Sequence, residues 1–325
     1  MESKTKNKKT REQIDRMVRR AYAGAGLVPG PDSAVELKEG WFNAVYELKL
    51  EDGREVVLKI APPGGAEILT YETNIMETEV AAMRLVHENP AIPVPEIHFH
   101  DSAHDLCDSD YFFMEKLAGD NLEHVRETYP PETQAEIQMQ IGKIVHAING
   151  FTGTYFGYPG NHDLRADTWR AAFLTIMDAV LEDGGRKNVD YGHDTDVLSS
   201  VIHKHAPALD AVRTPQLVHW DAWNSNFFVK DGQITGLLDF ERALWGDPLM
   251  EAQFRPVFGV AVTDSMQGYG KTDFSFEEQQ RRWLYTLYLA LVINTECYYR
   301  NYDNDQVYHF SKRLLDASLD WLRAA

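Results

Sequence analysis

Cysteine is scarce in this 325-residue chain: Cys107 and Cys297 are the only two, far apart and in no Cys-x-x-Cys pattern. That excludes a disulfide framework and fits a reducing compartment. Long apolar runs are missing as well. No stretch of 18 apolar residues occurs, so no membrane-spanning helix is expected. The basic N-terminus runs into polar residues instead of the apolar core a secretory leader needs, which points to a cytoplasmic protein. Positive charge is in deficit, with 32 Lys and Arg against 50 Asp and Glu, a net of −18. Nucleic-acid surfaces draw on the opposite excess, so that partner class is excluded. The deficit is uneven. The first twenty residues hold eight basic against three acidic side chains, a balance of +5, so the remainder carries −23. Residues 1–10 read as a frayed basic tail leading into a helix near 11–24. The acidic body is either a solubility feature or a field that steers a cationic ligand.

What is present is an ordinary globular composition, 44% hydrophobic, on a chain long enough for one large or two medium domains. The first third reads as strands around one helix. Residues 41–50 (WFNAVYELKL) alternate apolar and polar, Glu51-Asp52-Gly53-Arg54 makes a turn, and Glu55–Ile60 (EVVLKI) returns as the second strand of a hairpin. Met76, Val80, Met83 and Val86 mark the apolar face of a helix over 73–87. Pro90, Pro93 and Pro95 end it, an extended stretch follows near 96–100, and Tyr111-Phe112-Phe113-Met114 is a further strand. Beyond residue 118 helical patterns dominate, with an Ile137, Ile141, Ile144, Ile148 stripe in 132–149 and two aromatic-rich helices over 276–300 and 306–322. A second Asp-Gly hairpin joins 227–229 to 234–238, and Asp247-Pro248 reads as the capped start of another helix. The expected division is a strand-rich lobe, 1–117, and a helical lobe, 118–325.

Chemistry concentrates in 217–240, LVHWDAWNSNFFVKDGQITGLLDF. His219-x-Asp221 is followed by Asn226 five residues after the aspartate, and by Asp239 at the end of the hairpin. Moving a γ-phosphoryl group needs a carboxylate to orient the attacking hydroxyl and take its proton. It also needs oxygen ligands that hold Mg²⁺ against the phosphates. Asp221 suits the first task, Asn226 and Asp239 the second. Turn-forming Asp, Asn and His are common between strands, but this ordered set is far more specific than a lone His-x-Asp.

The segment resembles the catalytic loop of the aminoglycoside phosphotransferase and choline-kinase-like family, which shares the protein kinase fold. HWDAWNSN, LLDFE and WGDP stand in the family's order, and the likeness runs from about residue 40 to 255. Trp220 departs from the usual glycine, and Glu251 stands where aspartate is commoner. The resemblance implies an α+β bilobal fold, ATP (or GTP) with Mg²⁺, and a small-molecule hydroxyl acceptor. His219 would brace the loop. Lys59, in Val57-Leu58-Lys59-Ile60, matches the strand lysine that contacts phosphates, and Glu79 its pairing carboxylate, with Glu72 and Glu77 close by. Gly40 and Asn43 fall at the phosphate loop by position, although that loop has a single glycine. Glu115 and Leu117 border the expected adenine hinge. The acceptor is read as an antibiotic such as an aminoglycoside. The alternatives are a metabolite kinase or a non-catalytic nucleotide binder. Only six residues separate Asp239 from Gly246, too few for a protein-kinase activation loop.

Several features stay open. Trp220 and Trp223 either stack on an acceptor or pack the loop. Asp264, Asp273, Glu277, Glu278, Glu296 and Asp303 either bind an amino-bearing acceptor or form a solvated helix face. His98, His100 and His104 lack a fourth ligand, so a zinc site is not expected.

Overall fold

Strand β3 (Glu55–Ile60) is apolar on both faces because both are covered. Val56, Leu58 and Ile60 pack with Ile14, Met17 and Val18 of helix α1 (Arg11–Ala21), whereas Val57 faces Met76, Val80 and Met83 of α2 (Ile75–His87). The period of two sends Lys59 to the α2 side with Val57. The strand repeats as β2 (Ala44–Lys49), and Gly53 takes φ +88° in the turn between them. With β1 (Ala34–Leu37), β4 (Ile97–Asp101) and β5 (Tyr111–Glu115), they form an antiparallel sheet ordered β1-β2-β3-β5-β4. The computed structural model describes residues 6–38, 42–257, 259, 261–302 and 305–325. Gly40, Trp41 and Asp303 lie outside the described residues, as does the tail before Lys6.

From Lys6 onward the tail is tied down and not frayed. Asn7, 7% exposed, donates from Nδ2 to Asp108 Oδ1 and Ser109 Oγ, both at 2.8 Å, and Lys9 Nζ lies 2.6 Å from Asp108. A capping box between Thr10 and Gln13 then starts α1.

The C-terminal region is mainly helical: α3 (Leu122–Val125), α4 (Pro131–Ile148), α5 (Trp169–Lys187), α6 (Thr195–His205), α7 (Asp264–Tyr269), α8 (Phe276–Arg300) and α9 (Gln306–Ala324). Between them lie two small sheets. One joins β6 (Asp120–Asn121), β10 (Phe227–Lys230) and β11 (Gln233–Leu237) in the order β11-β10-β6. The other joins β7 (Phe156–Gly157), β8 (Arg165–Ala166), β9 (Gln216–Val218) and β12 (Leu244–Gly246) in the order β8-β7-β12-β9. Helix α8 is buried on most of its circumference and forms the centre of the larger core with α5 and α9.

One helix expectation fails. Asp247 does cap, accepting from Leu249 N at 3.1 Å, but only a single 3-10 turn (Pro248–Met250) follows. Glu251 then turns extended, at φ −57° and ψ 148°, before a second short turn (Ala252–Phe254). The break lets the Glu251 side chain point back at the loop after β9.

Candidate active site

β9 delivers His219 into the core, 0% exposed. Its Nε2 lies 3.0 Å from Leu238 O, and its Nδ1 accepts from Asp221 N at 3.2 Å, so the proton sits on Nε2. Burial lowers its pKa. The ring therefore acts as a neutral strut between the loop and the end of β11. Asn226 Nδ2 donates to Asp221 O at 2.7 Å, so only its Oδ1 could bind a cation, and Leu238 N donates to Asn226 O at 2.9 Å. These bonds place Asn226 beside the turn that carries Asp239. The half-buried Asp221 carboxylate lies 3.9 Å from Arg242 Nε.

Across from this loop, Lys59 Nζ is 2.8 Å from Glu79, 2.7 Å from Asp239 Oδ1 and 3.4 Å from Glu241 Oε2. The helical register thus selects Glu79, not Glu72 or Glu77. Asp239 takes φ +69°, the left-handed turn that swings Glu241 round to the same lysine. Asn43 Nδ2 donates to Glu241 Oε2 at 2.7 Å, which ties the phosphate-loop position to the cluster. One ammonium thus meets three carboxyl groups, with Arg242 a further cation acting on Asp239 and Glu241. Burial pushes Glu79 to about 8 and Glu241 to about 7. Burial also works to raise Asp239, but the Lys59 charge outweighs it and holds the group below its usual value. Burial alone would lower Lys59; the three carboxylates instead raise it well above normal. Glu79, Asp239 and Glu241 each offer an oxygen within 4.8 Å of the others. This all-oxygen set fits a hard divalent cation such as Mg²⁺, whose charge would favour the ionised carboxylates.

Two further groups hold the loop. Glu251, 0% exposed, accepts from His219 N at 2.9 Å, Trp220 N at 3.1 Å and Asn149 Nδ2 at 2.9 Å. Arg255 grips the loop from the other side, donating to Trp220 O. Trp220 itself stands at φ +69°, the backbone state that explains why glycine is usual there, and its indole is 0% exposed. It packs 5.7 Å from Tyr288 and between Arg242 and Arg255, at 5.1 and 4.6 Å. Of the two tryptophans, then, Trp220 packs the loop. Trp223 instead lines a cavity of about 770 Å³ between α3, α4 and the loop.

Other expected residues settle differently. Gly40 lies outside the described residues. Glu115 ends β5 exposed, its amide already donating to Glu96 O at 2.9 Å, and Leu117 packs over Gly236, where a Cβ would come within 2.2 Å of it. Among the described residues no hydrogen bond or ion pair joins either to the Lys59 cluster. Glu296 is neither solvated nor open to an acceptor. It is 5% exposed and lies 2.7 Å from Arg242 and 3.2 Å from Arg300, which also contacts Glu72. Burial works to raise Glu296, yet the two guanidiniums hold it below its usual value. His98 meets Tyr22 Oη at 2.9 Å, while His100 and His104 lie 3.7 and 2.5 Å from Asp110. Sequence reasoning missed Glu241, Arg242 and Arg255. A carboxylate two residues after a metal-type aspartate was the one signal available, for Glu241.

A lysine on a five-stranded sheet paired with a glutamate of the adjacent helix, facing an His-x-Asp…Asn loop and an Asp-Phe turn over a helical region, is the arrangement of protein-kinase-like phosphotransferases. Residues 33–255 match the family described as APH: Phosphotransferase enzyme family, and the chain belongs to it. APH(4)-Ia, solved as a ternary complex with ADP and hygromycin B, shares the fold at TM-score 0.63 and 17% identity, over 95% of this chain and 98% of that one. The streptomycin–ATP complex of APH(2″)-IIa aligns at TM-score 0.59 and 13% identity, over 98% and 97%. A Thermobifida fusca chain assigned as a fructosamine-3-kinase aligns at TM-score 0.66 and 17% identity, over 96% and 99%. Two Aspergillus fumigatus proteins, each named Subtelomeric hrmA-associated cluster protein, are 29% identical over 130 residues, 39% of this chain. The match spans about a quarter (24%) of those relatives' length.

Proposed function

We propose that this protein is a small-molecule kinase that transfers the γ-phosphoryl group of ATP, or GTP, to a hydroxyl acceptor. The observation that carries the reading is Lys59 held between Glu79 and Asp239, with the Asp239 turn hydrogen-bonded back onto Asn226. Lys59 would bind nucleotide phosphates, oriented by Glu79, and Asn43 would fix the loop above them. Asn226 Oδ1 and Asp239 would hold Mg²⁺, with Glu241 in reach; bound there, the ion neutralises charge between the phosphates. Asp221 would align the acceptor hydroxyl and take its proton, and His219 would keep that loop in register. Since phosphoryl transfer passes through a loose transition state, positioning and charge neutralisation supply most of the rate. The two lobes would divide at the 115–119 connector, whose backbone would border the adenine. A cytoplasmic location fits the chain's two unpaired cysteines.

Antibiotics such as aminoglycosides and small metabolites are both acceptors of this chemistry. A non-catalytic nucleotide binder is opposed by the joint presence of Lys59, Asp221, Asn226 and Asp239 in one assembled site. ADP release from Mg-ATP and Mg-GTP against a panel of aminoglycosides, macrolides, choline, sugars and homoserine tests the reading. Silence across the panel together with no Mg-nucleotide binding would sink it. With an acceptor in hand, Asp221→Ala should abolish turnover and leave Mg-nucleotide affinity near the parent's; undiminished turnover refutes the role.

A further inference from the structure

We propose that the cavity beside the Asp221 loop takes an acceptor carrying a carboxylate next to an apolar ring or chain, a substrate class opposite in charge to an aminoglycoside; this rests on the kinase reading for the cavity's role. The charge of the wall runs against that of the molecule. Its ionisable lining is one carboxylate, Glu123, against two guanidiniums, Arg126 and Arg255, in a chain of net charge −18. None of the described acidic residues once considered for an amino-bearing acceptor lines it.

Arg255 is the informative member. It is 4% exposed and has no carboxylate within 4.0 Å among the described residues. Its Nε donates to Met250 O at 2.9 Å and its Nη2 to Trp220 O, while Nη1 has no partner. On the same wall Gln253 Nε2 is also buried and unpartnered. Buried donors without acceptors are costly, on the order of 1–3 kcal/mol each. Holding the Trp220 carbonyl explains one bond of Arg255 but neither free donor. In the proposed complex both donors would turn toward the anionic group of a ligand in this cavity. The charges of Asp221 and Glu251 act on Arg255 from beyond 4.0 Å and partly offset its burial, but neither reaches Nη1. Glu251 spends its oxygens on two backbone amides and Asn149, and Arg242, a like charge, is paired with Glu296. Burial lowers Arg255 only to about 10, so it remains a cation at neutral pH. Trp223, 5.5 Å from the same guanidinium, supplies the flat apolar face.

Three matched probes test this: 4-(2-hydroxyethyl)benzoate, its methyl ester, and 4-(2-hydroxyethyl)benzylamine. Binding to the full chain saturated with Mg–AMP-PNP is read by calorimetry and by tryptophan fluorescence. The benzoate should bind about tenfold tighter than either partner, the yield of one charge-assisted hydrogen-bond pair. Gln253→Leu should shrink that preference to about twofold or less while AMP-PNP affinity holds, and Arg255→Gln, which also releases the Trp220 carbonyl, should shrink it at least as far. Equal or tighter binding of the amine or ester overturns the proposal. So does absence of binding by all three at millimolar concentration, or an unmoved preference in a folded Gln253→Leu protein. Failure to bind Mg–AMP-PNP would instead count against the kinase reading; the probe order, measured without nucleotide, would still decide the cavity.

Discussion

Replacing Trp220 sets two effects against each other that the structure allows to be separated. The residue stands at φ +69°, where a non-glycine side chain costs about 1–2 kcal/mol. Its indole is 0% exposed against Tyr288 and two guanidiniums, and truncating such a ring to alanine costs about 3–5 kcal/mol. The Nε1 proton has no partner, so truncation returns on the order of 1 kcal/mol of that loss. Trp220→Ala keeps the backbone strain and loses the packing, a destabilisation of about 2–4 kcal/mol. Trp220→Gly loses the same packing but sheds the strain, so it should be more stable than the alanine variant by about 1 kcal/mol. Both should be less stable than the parent. Urea unfolding followed by far-ultraviolet circular dichroism, with equal slopes for the three proteins, measures the order. Glycine and alanine variants of equal stability would refute the strain, and a glycine variant more stable than the parent would refute the packing argument.

Glu251→Ala strands three buried donors, the His219 and Trp220 amides and Asn149 Nδ2, and should cost about 3 kcal/mol or more. Because the loop also carries Asp221, kcat with any acceptor found should fall about 100-fold; a variant within a few-fold of the parent would refute the bracing role. In Mg²⁺-free buffer, pH supplies an independent check. Burial holds Glu79 at about 8, Glu241 at about 7 and Glu251 at about 7, all above the 4.5 of an unfolded glutamate. The native state therefore binds more protons than the unfolded one, so this stability is whole below 4.5 and is lost as pH rises through 7 to 8. From pH 6.5 to 8.5 the unfolding free energy should fall by on the order of 1–3 kcal/mol, and Glu251→Gln should flatten the slope. Stability that rises over that window would contradict the assignment.

The candidate loop was legible because its residues are close in sequence. His219, Asp221 and Asn226 are separated by two and five residues, and those spacings survive any tertiary arrangement. The hairpin that returns Asp239 was equally local. Lys59 and Glu79 meet across a sheet and a helix; the pairing was implied by the resemblance, and the helical register that separates Glu79 from Glu72 and Glu77 was not readable. Residues whose role depends on a backbone turn were not readable. Glu241 joins Lys59 only because Asp239 adopts a left-handed conformation, and Glu251 reaches the loop only because the expected helix stops after one turn. Glu296 was misread for a different reason. Helix α8 is covered on most sides, so a charged residue on it marks a buried ion pair and not a solvent face. The tail was misread because Asn7 is held by Asp108 and Ser109, about a hundred positions away, which composition cannot reveal.

The buried chain of Glu72, Arg300, Glu296 and Arg242 has a consequence for the order of folding. Its members come from before α2, from the turn after Asp239 and from the far end of α8, as much as 228 residues apart. A growing polypeptide that has emerged only as far as residue 255, where the family match ends, has already made Arg242 and Glu72 but neither Glu296 nor Arg300. Until α8 arrives, Arg242 lacks its closest carboxylate, Glu296 at 2.7 Å, and keeps only the longer contact to Asp221 at 3.9 Å. Docking of α8 is thereby the step that completes this ion-pair chain, which cannot form until late in the life of the nascent chain.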